Sequence, residues 1–130
     1  MLLDTHIWLR WLAVSSQPLP PATVDRVEQA EAVAISVISI WEAAQLHKRG
    51  RINLRMDWAD WLPLALVGAD ITVLPITEAI AARAAFLPEH HRDPADRLII
   101  ATAVEQGILL VSFDEKFKYY QEINGLLVKG

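Results

Sequence analysis

Four short, largely apolar runs divide this chain, and they constrain its fold more than any other feature of the sequence. They lie at residues 1–3, 33–35, 71–74 and 108–111, separated by longer stretches whose apolar residues recur at helical spacing. Strands that are apolar throughout are typical of parallel sheets, because helices cover both of their faces. The pattern therefore predicts an α/β sandwich in which helices flank a mostly parallel central sheet of about four strands.

The segments between these runs predict six helices. Five are expected at residues 5–12, 22–31, 39–49, 57–67 and 77–86. The sixth has the clearest ends, because Asp93 is a favourable N-cap, Pro94 suits the first helical position and Gly107 ends the run. The sequence contains no internal repeat or linker, so we expect a single domain over residues 1–130.

Composition excludes several classes of protein. The chain has 130 residues, of which 53% are hydrophobic, yet no apolar run approaches the roughly 18 to 20 residues that a membrane-spanning helix needs. The absence of cysteine excludes thiol catalysis and Cys-ligated zinc, and it suits a reducing cytoplasm. A net charge of −4 argues against a surface that binds nucleic acid by charge alone, although a local basic patch stays possible.

Four acidic residues are predicted to meet at one edge of the sheet. Asp4 directly follows the first apolar run and Asp114 lies just after the last, while Glu42 and Asp96 lie near the starts of predicted helices. Carboxylates about 4 Å apart repel by roughly 4 kcal/mol per pair at an effective dielectric constant near 20, which a divalent cation would offset. Magnesium prefers such oxygen ligands, so the cluster predicts metal-assisted phosphodiester hydrolysis.

Each acid also has a structural interpretation. Glu42 follows Ser39 at the spacing of a capping box, in which both side chains bond to the start of a helix. Asp96 lies in the first turn of a predicted helix, where the helix dipole stabilises a negative charge, and Asp93 is expected mainly as a cap. Asp4 and Asp114 suit turns after strands. The functional hypothesis depends on all four acids occurring at the same edge.

Four sequence blocks resemble those of a known family, the PIN-domain ribonucleases, and in particular the VapC-type toxins of bacterial toxin–antitoxin pairs. The blocks are LLDTH at residues 2–6, SVISIWEAA at 36–44, LPEHHRDPADRLIIA at 87–101 and VSFDEKF at 111–117. The blocks stand in the order and approximate spacing of that family, and the resemblance covers essentially the whole chain. The resemblance implies a PIN-like three-layer sandwich and a role in metal binding and catalysis for Asp4, Glu42, Asp96 and Asp114, with Asp4 and Asp96 the safest metal ligands.

The same resemblance implies a cofactor and partners. It implies Mg²⁺ or Mn²⁺, endonucleolytic cleavage of RNA, and silencing by a cognate VapB-type antitoxin. Two positions depart from the family pattern: Ala95 replaces a usual aromatic residue, and Ser112 replaces a frequent threonine. Serine keeps a hydroxyl that could hold a carboxylate or a water beside Asp114. Thr5 could likewise bond a carboxylate, but helix capping is the favoured interpretation.

Cationic side chains and histidines lie near the acids in the sequence. Arg92, Arg97 and Lys116 flank the acids and could hold RNA phosphates, with Arg97 favoured because it follows Asp96 directly. A zinc site is rejected, because the adjacent residues His90 and His91 should point apart and no second pair has ligand spacing.

Five tryptophans are many for one small core, because each indole N–H needs an acceptor when buried. Trp8 and Trp11 share the first helix, so we expect part of that helix to form an exposed apolar patch, the alternative being that it packs under the loop at residues 18–21. By resemblance, such a patch would serve a homodimer and a groove for an amphipathic antitoxin segment, whose arginine could pair with the acids.

Other functions fit the sequence less well. A haloacid-dehalogenase-like enzyme would have a second acid two residues after Asp4, where His6 stands, and a receiver domain would have an acid pair near the first strand. A catalytically inactive PIN-like domain that only binds a partner would be favoured by loss of one of the four acids. None is lost, so a metal-dependent endoribonuclease is the favoured function, with an inactive domain or another Mg²⁺-dependent phosphate-processing enzyme as the alternative.

Overall fold

A computed structural model describes residues 1–129, and a five-stranded parallel sheet lies at its centre. The strands are β1 (Leu2–Leu3), β2 (Val33–Ser36), β3 (Ile71–Leu74), β4 (Leu110–Val111) and β5 (Leu127–Val128). Their order across the sheet is β3-β2-β1-β4-β5, and every neighbouring pair is parallel. The predicted α/β sandwich is confirmed. The fifth strand was not predicted.

Six α-helices surround the sheet. They are α1 (Thr5–Trp11), α2 (Pro21–Glu28), α3 (Val37–Lys48), α4 (Trp58–Leu66), α5 (Glu78–Phe86) and α6 (Pro94–Gln106). Two short 3₁₀ helices, Phe117–Tyr119 and Gln121–Ile123, connect β4 to β5. None of the helices in residues 1–129 is long and apolar enough to cross a membrane.

Successive strand residues point into two separate cores, which gives the three layers. Leu3 and Ile35 pack with Trp8 in the first core, whereas the adjacent Leu2 and Ala34 belong to the second. The first core is covered mainly by α1, α2 and α4, and the second by α5 and α6. Because side chains alternate between the two faces of a strand, apolar residues at consecutive positions are required where both faces are covered.

Helix starts place the site residues at the carboxyl edge of the sheet. In α6, the Asp93 side chain accepts a hydrogen bond from the Ala95 N–H at 2.9 Å, and Gly107 ends the helix with φ +63°, as predicted. In α3, Ser36 is the N-cap and accepts from the Ile38 N–H at 3.2 Å. The capping box predicted at Ser39 is therefore wrong, because α3 begins three residues earlier.

The tryptophans are distributed differently from the prediction. Trp8 is fully buried and packs against Trp61, with ring centroids 5.5 Å apart. The side chain of Arg10 bonds to carbonyl groups of the loop before Pro20, so α1 packs beneath that loop. The predicted apolar patch on α1 is thus wrong, and the indole left exposed is that of Trp41 on α3, at 57%.

Candidate active site

The structure brings the four predicted acids together where β1 and β4 end and α3 and α6 begin. Asp4 follows β1, and its side chain caps α1 by accepting from the Ile7 N–H at 2.8 Å. Asp114 lies in the turn after β4, Glu42 in the second turn of α3 and Asp96 in the first turn of α6. The negative charges of the other three acids lie close enough to the carboxyl group of Asp96 to raise its pKa.

Ser112 connects Asp4 to the turn that carries Asp114. Its hydroxyl donates to Oδ2 of Asp4 and accepts from the Asp114 N–H at 3.0 Å. Burial raises the pKa of Asp4, which is 2% exposed, while the hydrogen bonds from Ser112 and the Ile7 N–H act in the opposite direction. Ser112 therefore holds and partly stabilises a buried carboxylate.

Thr5 holds Glu42 rather than capping α1. The Thr5 hydroxyl lies within hydrogen-bonding distance of Oε1 of Glu42 and 2.8 Å from the hydroxyl of buried Ser39. Because an ionised carboxylate can only accept, the Thr5 proton goes to Glu42, and Ser39 in turn donates to Thr5. The capping role favoured for Thr5 is wrong, since Asp4 performs it. Burial raises the pKa of Glu42 as well.

The pKa of Asp96 is strongly raised. Burial raises the pKa of its carboxyl group to about 8, and the nearby charges of Asp93, Glu42, Asp114 and Asp4 add to the effect. Such a value means that the folded protein without a cation keeps a proton on this group at neutral pH. Because the acids lie close together, they would gain from a positive charge placed among them.

His91 is a member of this site that the sequence reasoning missed. Its Nε2 lies 2.9 Å from Oδ2 of Asp96 and 3.0 Å from Oδ2 of Asp114. Its Nδ1 faces the Asp93 N–H at 3.3 Å and so acts as an acceptor, which places the ring proton on Nε2, toward the acids. His90 contacts the ring of Tyr120 instead, so the two adjacent histidines do point apart. The sequence reasoning expected the two side chains to point apart, but it did not predict that His91 would be the one to contact the acids.

The predicted RNA-binding cations occupy different environments. Arg97 is 7% exposed, and its guanidinium donates to the carbonyl oxygens of Ala85, Leu87, Pro88 and His91 at 2.7–3.1 Å. These bonds fix the segment between α5 and α6, and they leave Arg97 unavailable to a phosphate, which corrects the prediction for this residue. Arg92 and Lys116 are exposed at the margin of the acids, and their role stays a prediction.

The donor set suits a hard divalent cation. One ligand atom each from His91, Asp96 and Asp114 lie within 4.8 Å of one another, and Asp4 and Glu42 add carboxylate oxygens next to them. Burial is the largest cause of the raised pKa values of Asp4, Glu42 and Asp96, so a cation bound among these groups would favour their charged forms. Oxygen-rich, negatively charged sites of this kind are the ones that bind Mg²⁺ or Mn²⁺.

Comparisons with known proteins identify the family. Residues 1–123 match the PIN domain family. The chain is 35% identical over 122 residues to Ribonuclease VapC22 of Mycobacterium tuberculosis, covering 93% of this chain and 92% of that protein.

Solved structures show the same fold. VapBC2 from Rickettsia felis, bound to a DNA fragment from its promoter, aligns with 99% of this chain and 97% of its own at a TM-score of 0.66 and 15% identity. FitAcB from Neisseria gonorrhoeae aligns with 98% of this chain and 96% of its own at a TM-score of 0.64 and 21% identity. A toxin–antitoxin complex from Klebsiella pneumoniae aligns with 98% of this chain and 95% of its own at a TM-score of 0.62 and 18% identity. Because residues 1–123 match the PIN domain family and a ribonuclease relative is 35% identical over 93% of the chain, the chain belongs to the PIN domain family.

Proposed function

We propose that this protein is a metal-dependent endoribonuclease that acts as the toxin of a toxin–antitoxin pair. The observation that carries the proposal is the cluster of Asp4, Glu42, Asp96 and Asp114, in which burial and mutual repulsion raise the pKa of three of the four acids. The similarity to a relative named a ribonuclease supports RNA as the substrate. All four acids are present, which argues against a domain that only binds a partner.

The four acids would hold Mg²⁺ or Mn²⁺, with Asp4 and Asp96 as the principal ligands and Glu42 and Asp114 completing the set. When bound, the ion would polarise the scissile phosphate and lower the pKa of a bound water. Two hydroxyl groups orient this set, because Ser112 fixes Asp4 and Thr5 fixes Glu42. These hydrogen bonds hold the carboxyl groups of Asp4 and Glu42 in position despite the repulsion between the acids.

The chemical step is hydrolysis of one phosphodiester bond. The oxygen of a water molecule forms a bond to phosphorus, and the bond from phosphorus to one ribose oxygen breaks. A carboxylate not occupied as a principal ligand, Glu42 or Asp114, accepts the proton that the water loses. The leaving oxygen takes up a proton, so the products are a phosphate monoester and a free hydroxyl group.

The proposed partners follow from the family. A cognate VapB-type antitoxin would bind and silence the toxin, as suggested by structural neighbours that are toxin–antitoxin complexes. An arginine from such a partner would find a favourable position among the acids. We further propose that the protein acts in the cytoplasm as a homodimer.

Purified protein incubated with total RNA tests the function. The wild type should cleave RNA when Mg²⁺ is present and should stop when EDTA removes it, and Asp4→Asn should cleave at most about 1% as fast because the change removes a ligand charge without changing shape. Mapping of the fragment ends then identifies the sequence that is cut. Cleavage that survives both EDTA and the Asp4→Asn substitution would contradict metal catalysis at this site.

A further inference from the structure

An open cleft of about 810 Å³ adjoins the acids and has no role in the chemistry described so far. One face of α3 forms its first wall, and the start of α6 forms the second. Thr5, Glu42 and Asp93 line the cleft as well, so it opens directly beside the catalytic cluster. Its volume lies in the range of sites that take a ligand the size of a nucleotide or larger.

The cleft wall carries an exposed aromatic face. Trp41 is 57% exposed and immediately precedes Glu42 in α3. Three other indoles pack on one another at the first core, where Trp8 and Trp58 both contact Trp61. Ala95, at the start of α6, also lines the cleft and has only a methyl side chain, so it occupies little of the space. A flat aromatic side chain beside an open space is the arrangement on which nucleic-acid bases stack.

Cationic side chains lie in the same cleft. Arg49 follows Glu42 by seven residues, which is about two helical turns or 10 Å along α3, and Arg92 lies on the opposite wall. Neither guanidinium forms an ion pair within the part of the chain that the structure describes. Both guanidinium groups are therefore free to hold phosphate groups. They form a local basic site on a protein whose net charge is −4.

We propose that this cleft binds the strand beside the scissile bond, with one unpaired base stacked on Trp41 and the flanking phosphates held by Arg92 and Arg49. The inference rests on the proposed ribonuclease function and adds that the substrate is single-stranded at this position, because a base inside a duplex cannot present its face to an indole. Trp41 is a positioning residue: it sets where the strand lies relative to Glu42, and it takes no part in bond breaking.

Binding of a short, fluorescently labelled single-stranded RNA to protein that carries Asp96→Asn, so that it is not cleaved, tests the proposal. Adding Trp41→Ala should raise Kd about 10-fold, as expected for the loss of one stacked base, and Trp41→Phe should recover most of the affinity. Phe86→Ala is the matched control, because Phe86 is 89% exposed but lines a different depression with Glu105, and its Kd should not change. Arg92→Ala should weaken binding and reduce its dependence on salt.

Two readouts separate stacking from a merely structural role. Replacing single nucleotides by abasic ones should weaken binding about 10-fold at one position, and the Trp41→Ala protein should be insensitive to that replacement because the stack is already lost. RNA should also quench part of the fluorescence of the Asp96→Asn protein, and this part should disappear in Trp41→Phe. A duplex of the same sequence should bind more weakly than the single strand.

The outcomes distinguish this proposal from the function on which it rests. If the wild type cleaves RNA with Mg²⁺ but Trp41→Ala leaves Kd unchanged, the stacking proposal is overturned and the nuclease stands. If Trp41→Ala instead abolishes binding of a partner protein while RNA binding persists, the cleft is a protein groove and the proposal is likewise wrong. If the wild type neither binds nor cleaves RNA, the proposed function itself fails.

Discussion

Replacing Asp96 by asparagine should make the metal-free protein more stable, although the residue lies at the centre of the proposed catalytic site. The pKa of this carboxyl group is 3.8 in an unfolded chain and is raised to about 8 in the folded protein, first by burial and then by neighbouring acids. Above pH 4 the folded state therefore binds more protons than the unfolded state. The free energy of unfolding must fall as the pH rises from about 4 to about 8.

The size of the effect follows from the same two pKa values. Each pH unit above the unfolded pKa costs about 1.4 kcal/mol until the folded pKa is reached, so the penalty is about 4 kcal/mol at pH 7 and about 2 kcal/mol at pH 5. Asparagine carries no charge at any pH, and its carbonyl oxygen can still accept from Nε2 of His91. The variant should therefore be more stable than the wild type by up to about 4 kcal/mol at pH 7, and by about half of that at pH 5.

Urea unfolding in EDTA at the two pH values measures both differences. Asp93→Asn is the control, because Asp93 is exposed, its role is to cap α6, and asparagine caps about as well as aspartate. Its unfolding free energy should rise by much less than that of Asp96→Asn, because it keeps the cap and the buried Asp96 carboxyl group and relieves only one of the neighbouring charges. Mg²⁺ should stabilise the wild type much more than Asp96→Asn, because the folded variant lacks one of the two principal ligands. An Asp96→Asn protein that is less stable at pH 7, or whose advantage does not shrink at pH 5, would refute the electrostatic reasoning.

Three further substitutions test single contacts. Ser112→Ala should cost about 1 to 3 kcal/mol of unfolding free energy in urea and lower the cleavage rate, because Asp4 loses its hydroxyl donor, and Ser112→Thr should restore both. Arg97→Ala should cost at least about 3 kcal/mol by the same measurement, since four carbonyl groups lose a buried charged donor, whereas exposed Arg92→Ala should cost under about 0.5 kcal/mol. His91→Ala should cost about 1 kcal/mol in EDTA and less with Mg²⁺, and an equal loss in both conditions would contradict its contact with the acids.

Periodicity and strand-end logic were sufficient to predict the main architecture and the convergence of the acids. Strands that are apolar at every position need helices on both faces of the sheet, which predicts the three layers. The carboxyl ends of parallel strands share one edge, so Asp4 after β1 and Asp114 after the neighbouring β4 lie near each other. Strand β5 was not predicted, because its place in the sheet is established by pairing with β4 in the folded protein and not by a local sequence pattern.

The errors concern contacts that local sequence does not determine. Ser39 has the spacing of a capping residue from Glu42, but Ser36 begins the helix, and only the packed fold reveals that Ser39 supports Thr5 instead. Arg97 follows an acid of the site, yet its position on α6 directs it into a set of carbonyl groups. His91 reaches the acids because a hydrogen bond from its backbone N–H to the Tyr120 hydroxyl holds the loop there, a contact across 29 residues.

The most direct test of the central claim compares RNA cleavage by two variants that differ by three positions at the start of α6. Asp93 caps α6 and Asp96 lies in its first turn, but only Asp96 is among the carboxyl groups that would hold the cation. In Mg²⁺ at pH 7, Asp96→Asn should lose at least about 100-fold in cleavage rate, whereas Asp93→Asn should stay within a few-fold of the wild type. Equal rates for the two variants would contradict the assignment of the acidic cluster as the active site.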